Sequence, residues 1–235
     1  MTDIAAEEEG MFDRSAALLG EPAMARLASA RILVVGAGGV GGWCAEALVR
    51  TGAGHLAVMD DDVVAASNLN RQCPATVSAI GHSKVEAMRE RLLAINPAAD
   101  VTALRRRYLP DDAAGELARF DVVVDAIDSA DCKAALILNA FEAGVPVISS
   151  MGAAFRTDPT KVCISRFDKV EGDGLAKALR GRFRRLGRYP GKFECVWSRE
   201  QISASCRGGA KGSLMQVTAT FGMCLAAAVV KAAVK

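Results

Sequence analysis

The sequence predicts an α/β fold, a Rossmann-like, mostly parallel sheet with helices on both faces and a C-terminal α+β extension. Three observations carry that expectation. Apolar runs of roughly five residues alternate with longer stretches of helical spacing through most of the chain. A glycine-rich turn sits where the first apolar run gives way to the first helical stretch. With 51% hydrophobic and 24% charged residues, the chain also has enough apolar material to cover both faces of a sheet.

Taken in order, residues 1–10 read as an acidic, disordered lead-in and residues 11–235 as a single domain. Residues 31–35 read as a strand, 40–51 as a helix and 55–60 as the next strand. The helical spacing of 83–95 stops at Asn96-Pro97, because a residue before proline is pushed out of the helical region. Further strands are expected at 101–104, 122–127 and 145–149, with a helix at 132–143 closed by Gly144 and Pro146. After Gly152 the pattern changes to a strand at 162–167, a basic helix at 174–186 and a strand at 193–197. The polar, glycine-bearing stretch 198–212 is expected to be mobile. The apolar helix expected at 213–233 has so few polar positions that it must bury itself in its own domain or in a partner chain.

Composition excludes several classes. The 29 basic and 27 acidic residues nearly cancel, so distribution matters more than net charge. Seven cysteines, an odd number without any C-x-x-C pair, argue against a disulfide framework and against zinc. No leader or membrane span is expected, and the protein is expected to be cytoplasmic with no membrane partner.

The chemistry-bearing residues begin with Gly36, Gly38, Gly39 and Gly41, which follow a strand and open a helix. Such a turn lets a phosphate approach backbone N–H groups at a helix N-terminus. Asp60 ends the next strand, where a carboxylate accepts from ribose hydroxyls. A nicotinamide-dependent oxidoreductase would look the same up to this point. Beyond it the polar run carries Asp62 and Asn68, and Arg71 and Lys84 add the fixed cations that an α-phosphate under attack requires. Asp128 follows a strand at the carboxyl edge of the sheet and suits Mg²⁺, although it equally suits the cap of the following helix.

The run G-x-G-G-V-G at 36–41, D-x-D-x-V-x-x-S-N-x-x-R-Q at 60–72, G-x-x-K at 81–84 and D-A-I-D at 125–128 resembles the ubiquitin-activating-type adenylating enzymes, the ThiF/MoeB/HesA superfamily. The resemblance implies that ATP is bound, that Asp60 holds the ribose, that Asn68, Arg71 and Lys84 contact the triphosphate, and that Asp128 positions Mg²⁺. It further implies a homodimer in which Arg14 of one subunit reaches the phosphates of the other, and a monovalent alkali ion. On this resemblance residues 11–152 form the ATP-binding part, and 153–235 an RNA-binding, dimer-supporting extension.

The segments 146–153, 158–160 and 217–222 are similar to the branch of the superfamily that dehydrates threonylcarbamoyladenosine in tRNA. That branch activates the threonyl carboxylate beside the anticodon, and the neighbouring carbamoyl group closes the ring. The alternative substrate is the C-terminal glycine of a ubiquitin-like or sulfur-carrier protein. A non-catalytic RNA-binding module is the reading from outside enzymes.

An RNA partner should leave a basic footprint. Lys177, Arg180, Arg182, Arg184, Arg185 and Arg188 lie together with no acid between them. Phe183 and Tyr189 are interleaved, placed either to stack on a base or to enter the core. Arg105, Arg106 and Arg107 form a second cluster. His55 and His82 read as structural. Cys206 is the nearest match to a cysteine of this branch, and a sulfur-relay protein is a further expected partner.

Overall fold

The computed structural model describes residues 10–202 and 212–235. The expected lead-in and most of the expected mobile stretch, Cys206 included, lie outside the described residues.

Seven strands form one sheet: β1 (Arg31–Val35), β2 (His55–Met59), β3 (Asp100–Leu104), β4 (Val122–Asp125), β5 (Val147–Ser150), β6 (Val162–Arg166) and β7 (Glu194–Ser198). Their order is β3-β2-β1-β4-β5-β7-β6, parallel throughout except where β6 pairs antiparallel with β7 at the edge. The expected C-terminal extension therefore lengthens the same sheet. Strand β4 is fully buried, as its unbroken apolar run requires once both faces are covered.

The helices are α1 (Asp13–Leu19), α2 (Glu21–Ser29), α3 (Gly41–Thr51), α4 (Lys84–Ile95), α5 (Ala130–Glu142), α6 (Gly174–Leu186) and α7 (Met215–Ala233). Helices α1 and α2 were not legible in the sequence, because they are short and only α2 buries a stripe, Ala23, Met24 and Leu27. One core layer joins α3, α4 and α7 to the sheet through Leu48, Met88 and Phe221. The opposite layer joins α5 and α6 through Ile137 and Phe183.

Helix α7 has the length and composition of a membrane span, yet it packs across α3 at backbone distance. A Cβ added at Gly222 would stand 2.7 Å from the Val40 carbonyl oxygen and from Trp43 Cβ. Its other face leaves Met215 and Met223 exposed.

Candidate active site

The turn between β1 and α3 needs its glycines for different reasons. Gly36 has φ +100°, and a Cβ there would sit 2.7 Å from the Ala126 carbonyl oxygen. At Gly38 a Cβ would meet nothing nearer than the Gln72 amide at 3.9 Å, so this part of the loop faces open space. The turn thus presents backbone to a ligand on one side while the other side is wedged against the loop after β4.

Asp60 clamps the turn from the next strand. One carboxylate oxygen accepts from the Ala37 N–H at 2.8 Å and the other from the Asp62 N–H at 2.8 Å. A carboxylate has about four acceptor sites, so capacity remains for ribose hydroxyls. Lys84, at the first position of α4, is buried and donates to Asp62 at 2.8 Å, while its backbone N–H donates to the Asp62 carbonyl. The ammonium retains two further donors.

Asn68 is buried and its side-chain oxygen accepts from the Ala65 N–H at 3.0 Å, leaving the amide NH₂ without a partner among the described residues. Arg71 lies over the glycine turn, its Cγ 3.3 Å from where a Gly39 Cβ would be. Its guanidinium donates to the Ser67 carbonyl at 3.0 Å and to Asn70 at 2.9 Å, and its own carbonyl accepts from the Trp43 indole at 2.9 Å. The three acids Asp60, Asp61 and Asp62 cluster closely, but Arg107 and Lys84 already balance the last two.

Asp128 is exposed and its side chain bonds to no described residue, so it does not cap α5. The turn that presents it is held from below. Asp125 is fully buried, one of its oxygens accepting from Lys133 at 2.6 Å and from Ser149 at 2.6 Å, the other from the Ile127 N–H at 3.2 Å. Arg14 lies on exposed α1.

Three contributors escaped sequence reasoning. Gln72 is buried, its side-chain oxygen without a partner among the described residues and its amide nitrogen toward Gly38, and its place in the motif was the available signal. Lys133 is wholly buried; a lysine among the apolar residues 134–138 of its helix pointed to it. Arg156 is 2% exposed, its guanidinium nitrogens have no hydrogen-bond partner among the described residues, and Asp173 stands 3.6 Å away. It follows Phe155, a non-glycine residue with φ +62°, at the same edge of the sheet. A lone charge after the apolar run 153–155 was its signal.

The basic helix departs from expectation. Arg180 is spent inside the fold: its guanidinium lies 5.0 Å over the Phe167 ring and donates to the Phe167 and Val170 carbonyls. Arg182 pairs with Asp131, and Arg188 with Glu142 at 2.9 Å. Phe183 is core, whereas Tyr189 is 68% exposed. Lys177, Arg184 and Arg185 remain exposed and outside any ion pair among the described residues. Arg106 and Arg107 are likewise balanced, by Asp112, Glu116 and Asp61. In both clusters the compensating acids come from elsewhere in the chain, which is why the sequence made them look bare.

His55 sits at the far end of β2, 3.3 Å from Asp100, away from the glycine turn. Burial raises the thiol pKa of Cys44, Cys73 and Cys195, the last two to about 12, which disfavours the reactive thiolate.

A ThiF family model matches residues 12–235. The chain is 36% identical over 237 residues to the tRNA threonylcarbamoyladenosine dehydratase of Escherichia coli, spanning 90% of this chain and 88% of that protein. A crystal structure of the E. coli dehydratase in complex with ATP superposes with a TM-score of 0.87 at 38% identity, over 94% of this chain and 92% of that one. The molybdopterin-synthase adenylyltransferase of Salmonella typhimurium is 36% identical over 132 residues, 56% of this chain and 52% of its own length.

Proposed function

The chain belongs to the ThiF family, and from that premise we propose that it is an ATP-dependent tRNA threonylcarbamoyladenosine dehydratase. The observation that carries the reading is the likeness to such dehydratases in both sequence and fold over about nine-tenths of the chain. The likeness to the molybdopterin-synthase adenylyltransferase stops at 56% of the chain, which favours the tRNA substrate.

The reaction activates a carboxylate. A carboxylate oxygen of the threonyl group attacks the α-phosphate of ATP, pyrophosphate leaves, and an acyl-adenylate forms. The neighbouring carbamoyl group then attacks the acyl carbon, AMP leaves, and the closed ring has lost the elements of water. Gly38 to Gly41 offer N–H groups to the phosphates, since those of Gly36 and Ala37 are held by Met59 and Asp60, and Asp60 receives the ribose. Asn68, Arg71 and Lys84 stabilise the charge that builds on the phosphate oxygens. Ring closure needs little acid–base machinery, since the nucleophile is tethered beside its target.

The exposed, unbonded carboxylate of Asp128 at the ligand edge fits Mg²⁺, which would neutralise phosphate charge. The same reading includes a homodimer in which Arg14 serves the partner's phosphates, a monovalent alkali ion, a sulfur-relay partner and a cytoplasmic setting.

The test is AMP release from ATP and Mg²⁺ with modified tRNA, with the same tRNA unmodified, and with a sulfur-carrier protein. Turnover with the modified tRNA alone, and loss of one water mass from the nucleoside, is expected. Turnover with the carrier protein alone would overturn the tRNA reading.

A further inference from the structure

Strand β6 ends into Phe167 and β7 begins after Phe193, and the Phe167 N–H donates to the Phe193 carbonyl at 3.0 Å. Because β7 runs parallel to β5, and through it to β1, both rings stand at the end of the sheet opposite the glycine turn. The rings stack, with centroids 4.8 Å and planes 16° apart, and Phe183 meets Phe167 edge-on at 6.1 Å.

These rings line a cavity of about 460 Å³ together with Arg184, Tyr189 and Lys192. That size lies within the range of about 300–1,000 Å³ usual for small-ligand pockets. Phe183 and Phe193 are buried, whereas Tyr189 is largely exposed. Arg180 is consumed by Phe167 and Val170. The cations left at the cavity are therefore Arg184 and Lys192, both exposed and outside any ion pair among the described residues. Its one carboxylate, Asp168, is neutralised by Arg166 at 2.5 Å. An aromatic lining with an uncompensated positive rim matches a ligand that has both a π face and a negative charge.

We propose that this cavity captures a splayed nucleobase of the tRNA, with Tyr189 stacked on its face and Arg184 and Lys192 on the adjoining phosphates. The proposal rests on the dehydratase reading and adds a second foothold to it. The captured base is not the one that reacts. The register sets Phe193 level with Val147, Val123 and Leu33, about 10 Å along the strands from Gly36, and three strand spacings of about 4.8 Å separate β7 from β1, so the cavity stands roughly 17 Å from the glycine turn. Capture here orients the RNA while the modified adenosine reaches the other end of the sheet.

The experiment measures binding of a fluorescent anticodon stem-loop carrying the modification, by anisotropy, alongside steady-state turnover. Tyr189→Ala should raise Kd and the KM for RNA about tenfold, the size of one lost base stack. Tyr189→Phe should keep the wild-type values, and kcat and the KM for ATP should not move in either variant. Abasic replacement at one loop position should weaken wild-type binding by the same factor and leave Tyr189→Ala no weaker than before. The proposal is overturned if Tyr189→Ala binds like wild type, or if every abasic replacement weakens both proteins alike. Normal turnover with an indifferent Tyr189 removes the cavity alone. A wild-type protein that neither binds the RNA nor releases AMP with it removes the dehydratase reading as well.

Discussion

The Lys133 ammonium lies 2.6 Å from an Asp125 carboxylate oxygen, and neither side chain is exposed. Ser149 donates to the same oxygen, and Lys133 also donates to the Ser150 carbonyl at 2.9 Å. The pair ties β4, β5 and α5 together directly beneath the turn that carries Asp128. Burying two charges is costly in itself, so the value of the pair lies in its being complete.

Lys133→Met should therefore cost about 3–5 kcal/mol, because it strands the Asp125 carboxylate in the core. Lys133→Met combined with Asp125→Leu should cost less than Lys133→Met alone. Urea denaturation of the two variants decides it. A single variant with the wild-type midpoint would mean that Asp125 is compensated by other groups.

Asp128→Ala should abolish Mg²⁺-dependent AMP release and leave the melting temperature unchanged. The residue is exposed and bonds to no described residue, so the fold does not depend on it. Turnover that survives the substitution would remove the metal assignment.

Glu46 joins α3 to α4 and to the segment after Arg71, accepting from Arg91 at 2.5 Å, Arg50 at 2.8 Å and Cys73 at 3.0 Å. Burial pushes its carboxyl up, but the bonds from Arg91, Cys73 and Arg50 outweigh this and bring it down to about 2. In the unfolded chain the group titrates near 4.5 and takes up its proton first. Its contribution to stability is then complete above that pH and is lost as pH falls toward 2. Glu46→Gln should flatten this acid limb in pH-dependent denaturation, and an unchanged limb would assign the acid sensitivity to other carboxylates.

The arginines of α6 should separate into two behaviours. Arg184→Ala with Arg185→Ala should weaken tRNA binding and reduce the slope of log K against log salt by about 1 for each phosphate no longer neutralised, with stability unchanged. Arg180→Ala should instead lower stability by about 1–3 kcal/mol, because it takes the guanidinium donor from the Val170 carbonyl and the cation from the Phe167 ring. Salt titrations and thermal melts of both proteins give the answer. Equal loss of binding in the two would restore the single basic face.

Much of the fold was legible because its signals are local. The apolar runs at 31–35 and 122–127, the glycines at 36–41 and the stop at Asn96-Pro97 each act on neighbouring residues, so spacing alone identified them, although β4 ends at Asp125, two residues short of the expected strand. Asp60, Asn68, Arg71 and Lys84 were singled out from the same motif; the structure sets Asp60 and Arg71 against the glycine turn and ties Lys84 to Asp62 beside it. What the sequence by itself determined is thus the class of sheet and the residues that gather at its carboxyl edge. Which charges remain available was decided only by tertiary structure. Arg180, Arg182 and Arg188 are paired with Phe167, Asp131 and Glu142, and Lys133 with Asp125. A charge is written at one position, but its compensation depends on which distant residue the fold sets beside it.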